Sequence, residues 1–441
     1  MYLIQKDKEL TPDYIGKCLM SFQTRLLPKL NRYWNYYQGN QRILQKIATD
    51  VGKPCNKIIV NYCYNIVQNY LGYLSGIPIK YNNDNFSEII NVLNYNDVHQ
   101  EDNEYLRQAL IYGRAFEINY IDEDGQQRFR LFDSRECVPI YANDLNNDLL
   151  YVIRFYKEDL LNETNDNYLV EVYGPSDIKI YRSTPGFSSF SLIEERPNFY
   201  NQCPVTVFSL NEDEESIFSQ VISLQDAYNQ LISDEVDDFD AFCDAYLLLK
   251  GVIADSDDLQ AMKENRVLMV DNDADATYLT KSVSDTQIEN MLTNINNQIH
   301  KISNSPDFND EKFMAQSGIA MRYKLIGFEN AAADIEAYMR KALQRRIELI
   351  SNILHLTGTD QMWRDVEITF TRNLPQSLEP SNPTELMQYK GLVSDETLLS
   401  IIPFVKNVDE EMERVKKESE ASMELYSFNQ GVEDESEEIT E

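Results

Sequence analysis

The sequence has 441 residues, too many for one ordinary hydrophobic core and enough for two or three lobes. Hydrophobic residues make up 43% and aromatics 11%, and the 28 tyrosines outnumber Phe and Trp together, a composition suited to a sizeable core with half-buried contact surfaces. A formal net charge of −33 excludes the ordinary basic-groove binder of nucleic acid and disfavours anionic membranes.

Residues 11–38 read as helix, with Thr11 as N-cap, Pro12 in the first turn, Gly39 as the stop and Pro28 as a kink or split. A second helix is expected over 56–75, where Ile59, Tyr62, Ile66, Val67, Tyr70 and Leu74 recur at helical spacing before Gly76 and Pro78. Two shorter helical patterns lie near 85–95 and 98–112. The period then changes. Residues 115–121 and 127–132 flank Asp122-Glu123-Asp124-Gly125 as a hairpin. Strands follow at 149–156, 168–173, 177–182 and 204–210, with turns at Gly174-Pro175 and Pro185-Gly186, so the middle third is an antiparallel β region.

Helix returns over 216–249. On a helical wheel Val221, Leu224, Tyr228, Leu231, Ile232, Phe239, Phe242 and Tyr246 share one arc. Asp226, Asp234, Asp237, Asp238, Asp240 and Asp244 share the opposite one. A small mixed segment with strands at 266–270 and 276–280 precedes a helix over 285–303. There Ile288, Leu292, Ile295, Ile299 and Ile302 form a heptad-like seam. Gln287, Asn290, Asn294, Asn296, Asn297, Gln298 and Lys301 occupy its polar remainder. A loop follows, and then a helix over 317–356, with Ser317 as N-cap, a bend at Gly327 and a length of roughly 60 Å. Residues 366–371 read as a strand; Pro375, Pro380 and Pro383 mark an extended connection; 384–425 is helical in pattern. The last ten residues hold six carboxylates, a solvated tail. No internal repeat is evident.

Little in the sequence points to catalysis. The cluster Asp234-Glu235-Val236-Asp237-Asp238-Phe239-Asp240 has the residue types of a Mg²⁺ site, but its acids lie opposite the apolar stripe, which favours a solvated face. No nucleotide-binding glycine pattern occurs, and no cofactor is expected. Ser317-Gly318 reads as a simple cap. His99, His300 and His355 sit in helical patterns, away from any nucleophile motif. Arg340, Lys341, Arg345 and Arg346, balanced by Asp334, Glu336 and Glu348, read as salt-bridge lacing on a helix surface. Cys18, Cys55, Cys63, Cys137, Cys203 and Cys243 form no C-x-x-C pair, which argues against a zinc site and for free thiols in a reducing compartment. Lys6, Asp7, Lys8 and Glu9 argue against a signal peptide. No apolar run approaches the ~20 residues of a membrane span.

Several phrases, in order, resemble the portal proteins of long-tailed bacteriophages. They are Tyr36-Tyr37-Gln38-Gly39, Asn56-Lys57-Ile58-Ile59-Val60-Asn61 and Gly72-Tyr73-Leu74-Ser75-Gly76-Ile77-Pro78-Ile79. Tyr112-Gly113-Arg114-Ala115-Phe116-Glu117, Cys137-Val138-Pro139-Ile140-Tyr141 and Leu224-Gln225-Asp226-Ala227-Tyr228-Asn229 follow, then Ala245 to Gly251, Ser317-Gly318-Ile319-Ala320 and Thr369 to Pro375. The resemblance spans about 30–415. It implies an α+β portal fold, mainly helical: a β-rich wing (1–215), a stem helix (216–247), a clip (248–283) and a second stem helix (284–303). A channel loop (304–316), a long helix with wing return (317–380), crown helices (381–425) and an acidic tail (426–441) complete it. It further implies a ring, twelve-membered, at one capsid vertex of the virion, built in the host cytoplasm. Expected partners are other copies of the chain, the large terminase, a head-completion or neck adaptor protein, the scaffold and the major capsid protein. Double-stranded DNA passes through without sequence specificity, and no membrane or enzyme activity is involved.

Within that reading the acids Asp226, Asp234, Asp237, Asp238, Asp240 and Asp244 would line the channel, with Gln287, Asn290, Asn294, Asn297 and Lys301 as a second polar wall. The seam Ile288, Leu292, Ile295, Ile299 and Ile302 would join neighbouring copies. Asn304, Ser305, Pro306, Asp307, Phe308, Asn309, Asp310 and Lys312 would form the channel loop. Such walls suit the task, because phosphate binds cations tightly and a cationic bore would act as a brake. Two other classes remain open: an acidic adaptor or decoy for a basic partner, and a Mg²⁺-dependent nuclease built on Asp234 to Asp240.

Overall fold

Strand β1 (Tyr2–Ile4) leads into α1 (Pro12–Arg25) and α2 (Leu27–Gln38). The Thr11 hydroxyl accepts the Tyr14 N–H and caps α1. Pro28 opens α2 and splits the expected 11–38 helix, because proline has no N–H to continue it. Gly39 stops α2 at φ 85°, a left-handed turn that glycine adopts freely. The helix expected over 56–75 is shorter. Residues 54–61 are not helical, and α3 spans Tyr62–Ser75 with Asn61 as its cap. Strand β2 (Lys80–Asn82) and helices α4 (Ser87–Tyr95) and α5 (Val98–Tyr112) follow.

The β region holds β3 (Arg114–Ile121), β4 (Gln127–Phe132), β5 (Cys137–Ala142), β6 (Leu149–Lys157), β7 (Tyr168–Tyr173), β8 (Asp177–Ser183), β9 (Phe190–Pro197) and β10 (Val205–Ser209). One sheet runs β1-β5-β6-β7-β8-β9, and a second runs β10-β3-β4. All pairings are antiparallel except β1 with β5, where Tyr2 lies opposite Ile140 in parallel. The expected hairpin is present, with Gly125 at φ 76° in its turn.

Helix α6 (Ile222–Cys243) is followed by β11 (Tyr246–Lys250) paired with β12 (Asp275–Leu279). This corrects the helix expected to run to 249: the run Leu247-Leu248-Leu249 is strand, opposite Tyr278, Thr277 and Ala276, and a short apolar run cannot be told from helix by periodicity alone. Helix α7 (Asp285–Ser303) has the expected bounds. The long helix α8 spans Ile326–Leu356, about 46 Å at 1.5 Å per residue, with Gly327 in its first turn and not at a central bend. Strand β13 (Glu367–Thr369) returns to pair with β2, Ile368 opposite Tyr81. The chain divides into two units, Met1–Asn373 and Leu374–Glu441; in the second, 411–417 are helical.

The computed structural model describes residues 2–6, 8–48, 54–82, 87–159, 166–243, 246–250, 275–279, 285–308, 325–356, 363–373 and scattered positions from 394 to 417. The strand expected at 266–270, the Ser317 cap, most of 384–425 and the acidic tail fall outside these. Among the described cysteines Cys18, Cys55, Cys63, Cys137 and Cys203 carry free thiols, and burial pushes Cys18 up to about 11. No helix among the described residues is long and apolar enough to cross a membrane.

One core joins α1, α3, α5, the sheets and α8. Its centre is ionic. The Arg346 guanidinium is fully buried and donates from Nε and Nη2 to both Glu117 carboxylate oxygens, at 2.8 and 2.6 Å. Its Nη1 donates to Asp102 at 2.6 Å, and Tyr81 donates to the other Asp102 oxygen at 2.6 Å. The guanidinium also lies over Phe129, 4.5 Å from the ring centroid. This corrects the surface-lacing reading of Arg346. Arg340 and Arg345, by contrast, do lace to Glu336 and Glu348. Two carboxylates against one guanidinium leave an excess negative charge, and burial pushes the Glu117 carboxyl up against the pull of Arg346.

The motif Tyr112 to Glu117 gains its reasons here. Gly113 has φ 81°, and a Cβ there would lie 2.3 Å from the Glu214 carbonyl oxygen. Arg114, also buried, donates to the Ser134 and Cys137 carbonyls at 3.3 and 3.1 Å. Arg346→Met should destabilise the fold by about 3–5 kcal/mol in urea unfolding, because it strands both carboxylates. Glu117→Gln, which removes the excess charge, should cost less than half as much.

Candidate functional site

Helices α6 and α7 pack together and against α3, and they carry most of the residues singled out from the sequence. The inner side of α6 is a polar stripe. Gln225, Asn229 and Ser233 are each 0% exposed, and with Asp237 they recur at four-residue spacing. Each accepts one backbone N–H from residues 56–62, the run that leads into α3 and its first residue. Gln225 takes Tyr62 at 3.0 Å, Asn229 takes Val60 at 3.0 Å, Ser233 takes Ile58 at 2.9 Å, and Asp237 takes Asn56 at 2.6 Å.

The spacing explains the fit. Four helical residues rise about 6.0 Å. Two residues of a drawn-out chain rise about 6.2–6.8 Å. Every second N–H therefore meets the next acceptor on the helix. Further bonds tie the ladder together: the Gln225 amide donates to the Val60 carbonyl at 2.6 Å and to Asn229 at 3.0 Å, and Asn229 donates to Gln41.

This arrangement corrects the two-arc reading of α6. Asp237 belongs to the ladder. Asp226 accepts from the Tyr36 hydroxyl at 2.6 Å, Asp234 from Lys46 at 2.8 Å, and Asp240 from the Asn56 amide at 2.8 Å. Asp238 is partly buried, and the side chain of Asp244 lies outside the described residues. Phe239, assigned to the apolar arc, is 66% exposed. The error has a physical source. An apolar wheel assumes an apolar neighbour, whereas α6 packs on bare backbone whose N–H groups need acceptors. The recurrence of short acceptors at 225, 229, 233 and 237 was the available signal.

Burial opposes ionisation of Asp237, but the Lys46 ammonium and the Asn56 backbone and side-chain amides outweigh it and hold the carboxyl below the usual Asp range. Lys46 is raised in turn: burial opposes its charge, and Asp234 and Asp237 outweigh that.

On α7 the amide side is open: Gln287, Asn290, Asn294, Asn297 and Lys301 are all exposed. The seam is turned at least partly inward. Ile299 is fully buried and Ile295 packs on the chain's own core, while Ile288 and Leu292 are half-buried and Ile302 is 46% exposed. In its C-terminal half Ile295 and Ile299 are therefore used within the chain's own core, while Ile302 stays open.

The described start of the expected channel loop, 304–308, is non-helical and anchored to the chain's own elements. Ser305 is fully buried and accepts from Asn69 at 2.9 Å; its carbonyl lies 2.9 Å from the His300 ring. Tyr70 donates to the Ser303 carbonyl at 2.9 Å, and Phe308 stands edge-on to Phe328. Asn304 turns the chain at φ 53° and Pro306 and Asp307 are partly buried. Asn309, Asp310 and Lys312 lie outside the described residues. A groove of about 420 Å³ between the helices is lined by Tyr62, Tyr228, Glu235, Glu289, His300 and Asp307. Among the described residues no group of three or more His, Cys, Asp or Glu is placed to hold a metal ion.

Asn229→Leu should cost about 1–3 kcal/mol, because the Val60 N–H loses its acceptor in a dry interface. Hydrogen exchange should show the Val60 amide released. Asp237 gives a pH signature. Its folded value is depressed, so its contribution is present above the unfolded Asp value of about 3.9 and is lost as pH falls through the lower folded value. The stability gap between the parent and Asp237→Asn should accordingly close on acidification below about pH 4. A gap that does not depend on pH would remove the ion pair from the account.

A sequence profile of the phage portal protein family, SPP1 Gp6-like, matches residues 21–425. The portal protein of Bacillus phage SPP1 is 23% identical over 385 residues, covering 81% of this chain and 74% of its own length. That of Clostridium phage phiCD119 is 22% identical over 411 residues, covering 85% of this chain and 89% of its own. Among solved structures, a chain from the neck of a native GTA particle, computed with C12 symmetry, aligns over 77% of this chain and 89% of its own at 10% identity and TM-score 0.41. One from the neck of an empty GTA particle, computed with C6 symmetry, aligns over 76% and 87% at 11% identity and TM-score 0.40. With a match that runs through the β region, both paired helices and α8, the chain belongs to the phage portal protein family.

Proposed function

We propose that copies of this chain close into a ring at one capsid vertex and form the channel through which the genome enters and leaves. The observation that carries this is the family match over residues 21–425. Twelve copies, each of 51.4 kDa, make the ring. The wing is 1–215, α6 and α7 form the stem, the segment with β11 and β12 is the clip, and residues after 380 build the crown. The clip docks the large terminase during packaging and a neck adaptor afterwards; scaffold and major capsid protein meet the ring's flank during assembly in the host cytoplasm.

The bore wall in this reading is the open side of α7. Asn290, Asn294 and Asn297 are exposed amides without net charge, and amides offer duplex phosphate no tight ionic site. The acids of α6 take a smaller part than the sequence implied, because Asp226, Asp234, Asp237 and Asp240 are bonded to Tyr36, Lys46 and Asn56. The same bonds count against the nuclease reading: these carboxylates hold the fold together. Nothing specific in the structure favours an adaptor or decoy.

Two measurements test this. Electron micrographs of the purified protein, with scaffold if required, should show closed rings with a central hole. Asn290→Lys, Asn294→Lys and Asn297→Lys combined should leave the rings intact and slow DNA packaging several-fold, with the largest effect at low salt. Unchanged packaging would take α7 out of the bore wall.

A further inference from the structure

A cleft of about 510 Å³ opens on the wing between the β3–β4 hairpin and the ends of β7, β8 and β9. Two buried side chains at this cleft lack hydrogen-bond partners. Asn119 is 2% exposed, yet neither its amide nitrogen nor its oxygen has a hydrogen-bond partner among the described residues. Tyr200 is 4% exposed, and its hydroxyl is equally alone. Arg130 and Arg196 line the same cleft, are exposed, and make no hydrogen bond or ion pair among the described residues. Phe199 and Tyr120, 57% and 39% exposed, add aromatic surface at the cleft.

Buried polar groups without partners cost stability and call for an explanation, and a partner from outside the chain supplies one. The missing partner is defined by what the cleft offers. An amide that needs one donor and one acceptor fits a peptide group. Two arginines fit a carboxylate. The aromatic rings fit an apolar side chain. A nucleic acid would also present anions, but a polyanion meets the field of a chain with net charge −33, whereas a single carboxylate meets only the local pair.

We infer that this cleft receives an acid-bearing surface segment of the next copy of the chain in the ring. The inference rests on the ring proposed above. Like-charged copies repel, with 73 acidic against 40 basic residues in each, so adjacent copies need places where carboxylates of one meet cations of the other. The contact is heterologous: each copy gives the cleft on one flank and the inserted segment on the other, which closes a ring and leaves no cleft empty.

The test uses assembled rings of the full chain. Phe199, which is exposed, is replaced by photoreactive benzoylphenylalanine, and rings seen in micrographs are irradiated. The expected product is a covalent pair of chains, joined at a surface segment that contains Asp or Glu. Rings that yield adducts only within one chain, only with a different protein, or none at all overturn the inference and leave the ring reading standing; failure to form rings sinks both. Arg130→Glu with Arg196→Glu should raise the concentration for half-assembly by about tenfold or more, with the melting temperature of the separate chain unchanged. Asn119→Leu should separate the two states: the lone chain melts higher because a dry orphan amide is gone, while assembly weakens about tenfold. Assembly as tight as the parent's in both variants would contradict the proposal.

Discussion

A helix that packs against open backbone must supply hydrogen-bond acceptors where other helices supply methyl groups. Helix α6 does so at Gln225, Asn229, Ser233 and Asp237, and every second N–H from Asn56 to Tyr62 is satisfied by it. The match between a four-residue helical rise and a two-residue extended rise fixes the register of two segments about 170 residues apart in sequence, as the Val60–Asn229 bond shows. An apolar interface could slide by a residue at modest cost; this ladder cannot, because a slip leaves the N–H groups buried without partners. Since α7 packs on α6, the ladder also sets where the amide side of α7 faces.

The charge of the chain follows the same logic of placement. Acidic side chains outnumber basic ones heavily, yet buried and half-buried cations are placed at joints between distant segments. Arg346 joins α8 to α5 and β3, and Arg372 joins the return segment to Glu329 and Glu336 on α8. Lys46 joins the segment after α2 to α6. These bonds bury charge, which is costly unless every partner is in place. The elements that frame α6 and α7 are thereby made interdependent.

Much of the fold was legible in the sequence where local chemistry decides it. Thr11, Pro28 and Gly39 mark the ends of α1 and α2, and the isoleucine spacing gives α7 its bounds. The hairpin turn at Gly125 was equally clear. What escaped was set by partners far along the chain. Strands β2 and β13 are three residues each and exist only through one another. Strand β9 is an exposed edge whose Glu194-Glu195-Arg196 breaks the alternation expected of a strand. Residues 56–61 carry a helical pattern, but their N–H groups bond to α6 instead of to their own carbonyls. On the candidate site, the amide side of α7 was read from composition, whereas the bonds that tie the acids of α6 to Tyr36, Lys46 and Asn56 could not be read, because these partners sit on other elements.

The most direct test is a cryo-EM map of the assembled particle at side-chain resolution. It should show a closed ring in which Asn290, Asn294 and Asn297 look into the bore while Gln225, Asn229 and Ser233 stay turned to residues 56–62 of their own chain. A ring with those asparagines buried between subunits, and Asp237 released from Asn56 to line the channel, would contradict the account.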